Sequence, residues 1–440
     1  MSSTASPRRT EHGAASAAAI AGRVAAVVAA LILTALFLSF RPFQLTGELD
    51  LTGGDVVNQL GYGALGALSV AAMLMLADRR RLAALASPWW LAMLVFLVLS
   101  VLTAPDPNAA MRAASFTVIG ILAVAAVLAL PRDGEALSLV FAFAAFAVLA
   151  VSYLGLAIFP DIARHTAADA FEPEHAGLWR GVFQHKNVAG PVMASFSFAG
   201  LLLVRRGWRA AGLLLLALSL LFVANTGSKT TLGLVPVAMA MVIGPGMIGL
   251  RALTPMLFGL AVVGTALATL GIVFVEPLHA LADQIAPGLT YTGRTTLWQF
   301  AGELIAARPW TGYGFESVWG TPLVTESDHP FDRDWDIRGV VHAHNGYLDV
   351  ALSMGLPGLA AAVATLLVVP AIDYLRTPLN RENLLIADFF MMILLFTSLN
   401  SFLESYLFRR ADPIWILFVL AALGLRLTAR MPMRAKGRLP

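Results

Sequence analysis

Two histidines separated by one residue are the most chemically suggestive feature of the sequence. His342 and His344 lie in His342-Ala343-His344-Asn345, at the end of a long polar stretch and directly before an apolar segment. An imidazole near its ordinary pKa can accept a proton from a hydroxyl group, so either ring is a candidate general base. Two alternatives stay open, a helix cap made by Asn345 beside an interfacial histidine, and a two-histidine metal site. His-X-His spacing alone is weak evidence for a metal, and no acidic cluster completes an obvious ligand set, so we expect none.

Basic side chains form the second candidate group. They lie close to the ends of apolar segments or in the long polar stretch, at Arg180, His185, Lys186, Lys229 and Arg294. Together they suit an anion such as a diphosphate or an acidic sugar, because Arg matches phosphate oxygens with two parallel hydrogen bonds. The alternative is that each is a solvated or snorkelling residue paired with a nearby acid, as Arg409 would be with Glu404.

Two short polar motifs precede apolar segments. Gly181-Val182-Phe183-Gln184-His185-Lys186-Asn187 ends with a Lys and an Asn that can either cap the following helix or hold a substrate. Asn225-Thr226-Gly227-Ser228-Lys229-Thr230 resembles half of a phosphate-binding loop. Its glycine spacing is wrong for such a loop, which excludes a nucleoside triphosphate site.

The composition shows what must position these residues. Of the 440 residues, 58% are hydrophobic and only 13% are charged, and the mean hydropathy is +0.76. A soluble domain cannot bury that much apolar surface, so the bilayer must be the solvent. The chain has no Cys, which excludes disulfides and thiolate chemistry. The net charge of +3 does not indicate nucleic acid, because the basic residues are distributed by topology.

Hydrophobic periodicity predicts an all-α polytopic membrane protein with about twelve transmembrane helices. The expected spans are residues 18–40, 57–77, 88–104, 109–130, 136–159, 188–204, 208–225, 229–249, 254–276, 346–370, 384–402 and 412–428. Two connections are long enough to carry chemistry, an outer loop at 160–187 and a large loop at 277–345 between the ninth and tenth spans. In the large loop we expect an amphipathic helix around Thr295–Ala307.

The distribution of Arg and Lys predicts the orientation of the chain. Basic residues concentrate on one side of the predicted membrane, at Asp78-Arg79-Arg80-Arg81, Arg205-Arg206-Gly207-Trp208-Arg209, Arg251, Arg376, Arg381 and the tail from Arg426 to Arg438. That side is cytoplasmic by the positive-inside rule. We therefore expect a cytoplasmic N-terminal tail at 1–17, spans 1–9 within 18–276, a periplasmic loop at 277–345, spans 10–12 within 346–428, and a basic cytoplasmic tail at 429–440.

With these elements in place, the chain resembles the O-antigen ligase and Wzy-type polysaccharide polymerase family, most closely its exopolysaccharide (ExoQ-like) branch. The resemblance covers most of the chain. It lies in Arg180-Gly181-Val182-Phe183-Gln184-His185-Lys186-Asn187, Ser228-Lys229-Thr230, Gly293-Arg294 with Trp298, Pro309, Gly312-Tyr313-Gly314-Phe315, and His344-Asn345-Gly346-Tyr347-Leu348 with Gly355 and Gly358.

The resemblance implies a GT-C-like, metal-independent glycosyltransferase without a cofactor. It implies a polyprenyl-diphosphate-linked oligosaccharide donor and an active site on the periplasmic face of a bacterial inner membrane. His344 would deprotonate the acceptor hydroxyl, and Arg180 and Arg294 would stabilise the leaving diphosphate. His185, Lys186, Asn187, Lys229, His342 and Asn345 would bind substrate.

Three functions follow from this resemblance and from the predicted topology. We expect a polymerase that joins lipid-linked repeat units, and polysaccharide export and chain-length proteins would be its partners. The alternative within the family is a ligase that transfers polysaccharide to lipid A core. The alternative from another class is a polysaccharide transporter or flippase, because twelve helices with inside termini also describe many carriers.

Overall fold

The computed structural model describes residues 7–43, 55–168, 173–289, 291, 293–326 and 337–433. Within these ranges every regular element is helical, apart from one isolated antiparallel bridge between Arg164 and Trp179. The all-α fold class predicted from the sequence is therefore confirmed.

The helices follow one another with short connections in the first half of the chain. They are α1 (Pro7–Leu38), α2 (Val56–Leu76), α3 (Arg79–Leu85), α4 (Pro88–Leu102), α5 (Pro107–Ala129), α6 (Gly134–Ile158), α7 (Pro160–Ala163), α8 (Lys186–Arg206), α9 (Arg209–Asn225) and α10 (Lys229–Met247). The second half contains α11 (Leu253–Ala266), α12 (Ile272–Phe274), α13 (Glu276–Ile285), α14 (Arg294–Ala307), α15 (Pro322–Thr325), α16 (Gly346–Val363), α17 (Val369–Arg376), α18 (Arg381–Asn400) and α19 (Pro413–Arg430). A π-helical turn at Leu267–Gly271 links α11 to α12, and another at Ala364–Val368 links α16 to α17.

The chain is a polytopic membrane protein. In the described ranges, ten helices are long and apolar enough to cross a bilayer, or eleven when α3 and α4, bent by 63° at their junction, count as one span. The remaining predicted span is α9, a 17-residue apolar helix at the lower limit of bilayer-spanning length. Each of the twelve apolar segments read from the sequence thus coincides with a helix.

The centre of the bundle is α18. In α18, 94% of an 18-residue apolar stretch is buried within the protein, whereas the corresponding share in the span Leu253–Phe274 is 11%. Helices α8 and α19 pack on α18 and are also largely enclosed. Because α8 and α18 run in opposite directions, the first residues of α8 lie at the same end of the bundle as the last residues of α18.

The large polar loop contains the amphipathic helix predicted from its sequence. Helix α14 buries Leu297, Trp298, Phe300 and Ala301 on one face. The chain that follows α14 docks on the backbone of α16, where Tyr313 N–H donates to Leu352 O at 2.7 Å and Leu356 N–H donates to Pro309 O at 2.7 Å. The loop is therefore folded onto the helical bundle.

Glycine makes this docking possible at Gly355. Gly355 interrupts α16 with φ of 69°, and a Cβ there would lie 2.6 Å from the carbonyl group of Trp310. Only glycine tolerates both the left-handed conformation and the close backbone approach. The Gly355 of the sequence motif is thus explained by local packing.

A group of charged side chains around Asp388 connects the helices at the end of the bundle where α8 ends. Asp388 on α18 pairs with Arg205 of α8 at 2.9 Å and with Arg251 at 2.7 Å, and it accepts a hydrogen bond from the Tyr374 hydroxyl at 2.9 Å. The Arg251 guanidinium also stacks 4.0 Å from the centre of the Tyr374 ring. Four segments of the chain are therefore tied together by one carboxylate.

Replacing Asp388 by Ala should lower the stability of the protein by about 2 kcal/mol, because two partly buried guanidinium groups would lose their partner. Thermal unfolding in detergent measures this as a fall in the midpoint temperature. The control is Arg209→Gln, an exposed cation at the start of α9, which should leave the midpoint unchanged. Equal midpoints for the two variants would contradict the structural role of Asp388.

Candidate active site

The candidate active site is organised around the carboxylate of Glu404, in the connection between α18 and α19. Its Oε1 accepts hydrogen bonds from Nη2 of Arg294 at 2.8 Å and from Nδ2 of Asn187 at 3.1 Å. Its Oε2 lies 3.2 Å from Nδ1 of His344. One carboxylate thus joins the large loop, the start of α8 and the polar segment that precedes α16.

Arg294 owes its position to the start of α14. Gly293 adopts a left-handed conformation, with φ of 84°, and Arg294 is the first residue of the helix. One turn later, the fully buried Trp298 donates from its indole N–H to the carbonyl oxygen of Ala343 at 3.0 Å. The Gly-Arg-x-x-x-Trp pattern of the sequence therefore links the guanidinium to the segment that carries both histidines.

The same segment is held from its other side by Asp349. The backbone N–H of Ala343 donates to the Asp349 carboxylate at 3.1 Å, and the indole N–H of Trp319 donates to the same oxygen at 2.7 Å. His344 adopts φ of +48°, a conformation that side chains other than glycine rarely take. Such strain persists only when surrounding contacts impose it, and it is common at functional sites.

Glu404 is ionised at neutral pH. Burial acts to raise the pKa of its carboxyl, but the hydrogen bond from His344 and the charge of Arg294 outweigh burial and hold that pKa below its usual range. An ionised carboxylate can only accept, so the bond between His344 and Glu404 requires a proton on Nδ1 of His344. In the neutral imidazole, the basic lone pair of His344 is then on Nε2.

His342 has the opposite tautomer. Its Nδ1 accepts the backbone N–H of His344 at 3.2 Å, and the two rings lie 4.1 Å apart between centres. Burial, the charge of Arg409 and the neighbouring His344 hold the pKa of His342 well below its usual value. His342 is therefore a neutral ring at pH 7 whose proton lies on Nε2, so it can donate a hydrogen bond but has no free lone pair.

Asn187 connects the site to α8. His185 caps this helix, since its Nδ1 accepts the backbone N–H of Asn187 at 3.1 Å, and Lys186 is the first helical residue. The carbonyl oxygen of Asn187 accepts the hydroxyl of Tyr406 at 2.8 Å. The sequence motif thus acts both as a helix cap and, through the Asn187 amide, as a partner of Glu404.

Three other predicted site residues lie elsewhere or are enclosed. The buried Arg180 donates from its guanidinium to the carbonyls of Ile162 and Gln184, at 2.7 and 3.2 Å. Asn345 is fully buried and caps α16 through bonds from two backbone N–H groups. Lys229 is exposed at the first residue of α10. These two hydrogen bonds of Arg180 fix the connection before α8, and the helix-cap alternative for Asn345 is the arrangement found.

Sequence reasoning missed Glu404 as a site residue and considered it only as an alternative partner of Arg409. The expected ion pair with Arg409 is absent from the described contacts of Glu404, which instead binds Arg294, 110 positions earlier in the chain. The sequence carried little signal for it, because Glu404 lies in a connection between two apolar spans, where acids are common. The long sequence separation hid its partner.

Two groups of side chains in the described ranges could hold a metal ion. The nitrogen and oxygen ligands of His342, His344 and Glu404 lie within 4.8 Å of one another, as do those of His165, His175 and His185. In the first group the Arg294 guanidinium already neutralises the carboxylate at 2.8 Å. A second cation there would meet repulsion from Arg294, so this group suits an acid–base role better than a metal role.

The depressed pKa of Glu404 predicts how stability depends on pH. The interactions of the Glu404 carboxylate contribute fully to the free energy of unfolding above the usual pKa of a glutamate. This contribution is lost as the pH falls through the lower pKa that Glu404 has in the folded state. The difference in thermal midpoint between the native protein and Glu404→Gln should thus be largest near pH 7 and shrink below about pH 4. Glu276→Gln, at an exposed carboxyl, is the control, and a difference independent of pH would contradict the assignment.

Part of the chain matches a known protein family. Residues 213–363, from α9 into α16, match the model of the O-antigen ligase family, and the matched range includes Lys229, Arg294, His342 and His344. No curated protein matches the chain. This match agrees with the resemblance found in the sequence motifs and supports the O-antigen ligase and Wzy-type family for this chain.

Proposed function

We propose that this protein is an inverting, metal-independent polysaccharide polymerase that joins polyprenyl-diphosphate-linked oligosaccharide repeats. The observation that carries the proposal is the bond between Nδ1 of His344 and the ionised Glu404. This bond fixes the tautomer in which Nε2 of His344 is a base. A carboxylate that orients a histidine in this way also stabilises the imidazolium formed when the histidine takes a proton.

In the proposed reaction, Nε2 of His344 accepts the proton of an acceptor sugar hydroxyl. The hydroxyl oxygen forms a bond to the anomeric carbon of the donor as the bond from that carbon to the diphosphate breaks. Attack opposite to the leaving group inverts the anomeric centre. The diphosphate departs with the bonding electron pair and stays attached to its lipid, so no covalent enzyme intermediate is required.

Arg294 suits the leaving group. It uses Nη2 on Glu404, while its buried Nε has no hydrogen-bond partner among the described residues. A buried donor without a partner is costly unless a ligand satisfies it, so Nε supports the binding of an anionic substrate oxygen. Arg409, partly exposed and close enough to lower the pKa of His342, adds positive charge to the same region.

His342 has a separate role in this proposal. Its neutral ring carries a proton on Nε2, next to His344, and can donate to a sugar or phosphate oxygen. The two histidines then have distinct functions, with His344 as the base and His342 as a hydrogen-bond donor. Arg180 and Asn345 support the site indirectly, and Lys229, His185 and Lys186 are retained only as outer substrate contacts.

The position of the site supports an extracytoplasmic reaction. Arg205, Arg206, Arg251 and Arg381 all lie at the end of the bundle opposite Glu404. Cytoplasmic ends of membrane helices are enriched in Lys and Arg. We therefore place the site at the outer face of a bacterial inner membrane, where lipid-linked repeats would be elongated and where export and chain-length proteins would act.

The substrate requirement tests the polymerase proposal. Purified protein in proteoliposomes, supplied only with polyprenyl-diphosphate-linked repeats, should produce a ladder of longer lipid-linked chains. Gel separation of the labelled saccharides measures it. Transfer that occurs only after lipid A core is added would identify a ligase and overturn the polymerase assignment, although the base and the leaving group would be the same.

Variants of the polar cluster test the roles of its members. His344→Gln should reduce the rate of elongation by about 10²–10⁴-fold, because the base is lost. Arg294→Lys should reduce it by about 10²-fold, because a planar donor to the leaving group is lost. His342→Gln keeps a donor and should cost less, about tenfold.

The matched controls are His279→Gln and Arg112→Gln, at exposed positions of α13 and α5, and both should be fully active. Initial rates in the proteoliposome assay, at equal amounts of inserted protein, measure each effect. A larger loss for His342→Gln than for His344→Gln would exchange the two assignments.

A further inference from the structure

Three histidines converge beside the start of α8, apart from the base His344 and from Arg294 of the proposed reaction. The ring centres of His165 and His185 lie 4.8 Å apart, and each lies 5.6 Å from the centre of His175. The rings meet edge to face, and one nitrogen from each lies within 4.8 Å of the others. Three imidazole nitrogens that face one another in this way form a typical set of ligands for a transition metal.

The backbone holds the three histidines together despite their separation in the chain. His165 N–H donates to Leu178 O at 2.9 Å, and Gly177 N–H donates to His165 O at 2.8 Å. These bonds, with the bridge between Arg164 and Trp179, pair the segment after α7 with the segment that follows His175. His185 is fixed independently as the cap of α8. The ligand positions are therefore set by secondary structure.

We propose that His165, His175 and His185 bind one Zn²⁺ ion, which fastens the connection between α7 and α8 and leaves a fourth coordination position to water. Tetrahedral zinc with Zn–N bonds of about 2.0–2.1 Å requires its nitrogen ligands to lie about 3.3 Å apart. The nitrogens already lie within 4.8 Å of one another, so they must move by about 1.5 Å to reach this spacing. A chain without Cys cannot stabilise an extracytoplasmic loop with a disulfide, and an imidazole-bound ion serves the same purpose.

Metal binding requires weak hydrogen bonds to open, among them two to backbone N–H groups of α8. His165 Nε2 accepts the backbone N–H of Lys186 at 3.2 Å, and His185 Nδ1 accepts that of Asn187 at 3.1 Å. A nitrogen that coordinates zinc cannot accept such a bond, and a ring that coordinates through one nitrogen carries its proton on the other. Both N–H groups belong to the first turn of α8, where water readily replaces a capping side chain. The free energy lost with these two hydrogen bonds is small compared with the free energy of metal coordination.

The test is metal binding by the purified full-length protein, produced with an affinity tag that contains no histidine and then stripped with a chelator. Titration with Zn²⁺ alone should give one tightly bound ion per chain, measured by elemental analysis after dialysis. Co²⁺ should give the visible absorption of a tetrahedral site with nitrogen and oxygen ligands. Zinc should also raise the thermal midpoint of the protein.

Variants locate the ion. His175→Gln removes a partly exposed ligand of the ion. Loss of a residue that only hydrogen-bonds to a metal ligand lowers metal affinity by roughly 10–100-fold, so loss of His175 itself should lower the affinity for Zn²⁺ by more than that. His279→Gln, on exposed α13, should bind as the native protein does. His344→Gln should also retain the ion, which separates this site from the group of His342, His344 and Glu404.

Two results would overturn the proposal. One is unchanged Zn²⁺ stoichiometry and affinity in His175→Gln, and the other is loss of the ion in His344→Gln alone. Far-ultraviolet circular dichroism of each variant establishes that it is folded. Because the readout is bound metal and thermal stability, the result does not depend on whether the polymerase activity proposed above is correct.

Discussion

The end of the bundle that contains the candidate site depends on the interactions of the Glu404 carboxylate. This carboxylate binds Arg294, Asn187 and His344, which come from three regions of the chain at least 50 positions apart. A buried carboxylate is costly unless it is paired and hydrogen-bonded. Glu404 meets that requirement only when α8, α14 and the segment before α16 are all in place. The stability of the fold and the geometry of the site therefore rest on the same group.

A similar arrangement closes the other end of the same helices. Asp388 on α18 binds Arg205 of α8 as well as Arg251 and Tyr374. Helices α8 and α18 are thus connected near both ends by carboxylates on or beside α18, with a largely apolar interface between them. Inside a bilayer, apolar surfaces gain little from contact with each other, so polar contacts and close packing fix how helices are positioned. The two carboxylates fix the relation of α8 to the centre of the bundle.

Local contacts also decide which histidine acts as the base in the proposed reaction. The segment at 342–344 is held by Trp298 on its carbonyl side and by Asp349 on its amide side. These two hydrogen bonds hold the segment with His344 in a left-handed conformation, and the two rings then contact different partners. A carboxylate opposite one ring and a backbone N–H opposite the other give the rings opposite tautomers. Two chemically identical side chains therefore acquire different properties.

The sequence alone determined the membrane class, the position of each long apolar helix and the helix α14 in the large loop, and it indicated the family, because hydrophobic length, charge distribution and motif order are local patterns. It also identified His344, Arg294 and Asn187, but it could not show that they meet. Only the tertiary structure joined them through Glu404, assigned Arg180 and Asn345 to structural contacts, and gathered His165, His175 and His185. Each of these outcomes depends on contacts between residues that are far apart in the chain. A buried charge pairs with whichever residue the packing brings next to it, and distance along the sequence does not reveal that residue.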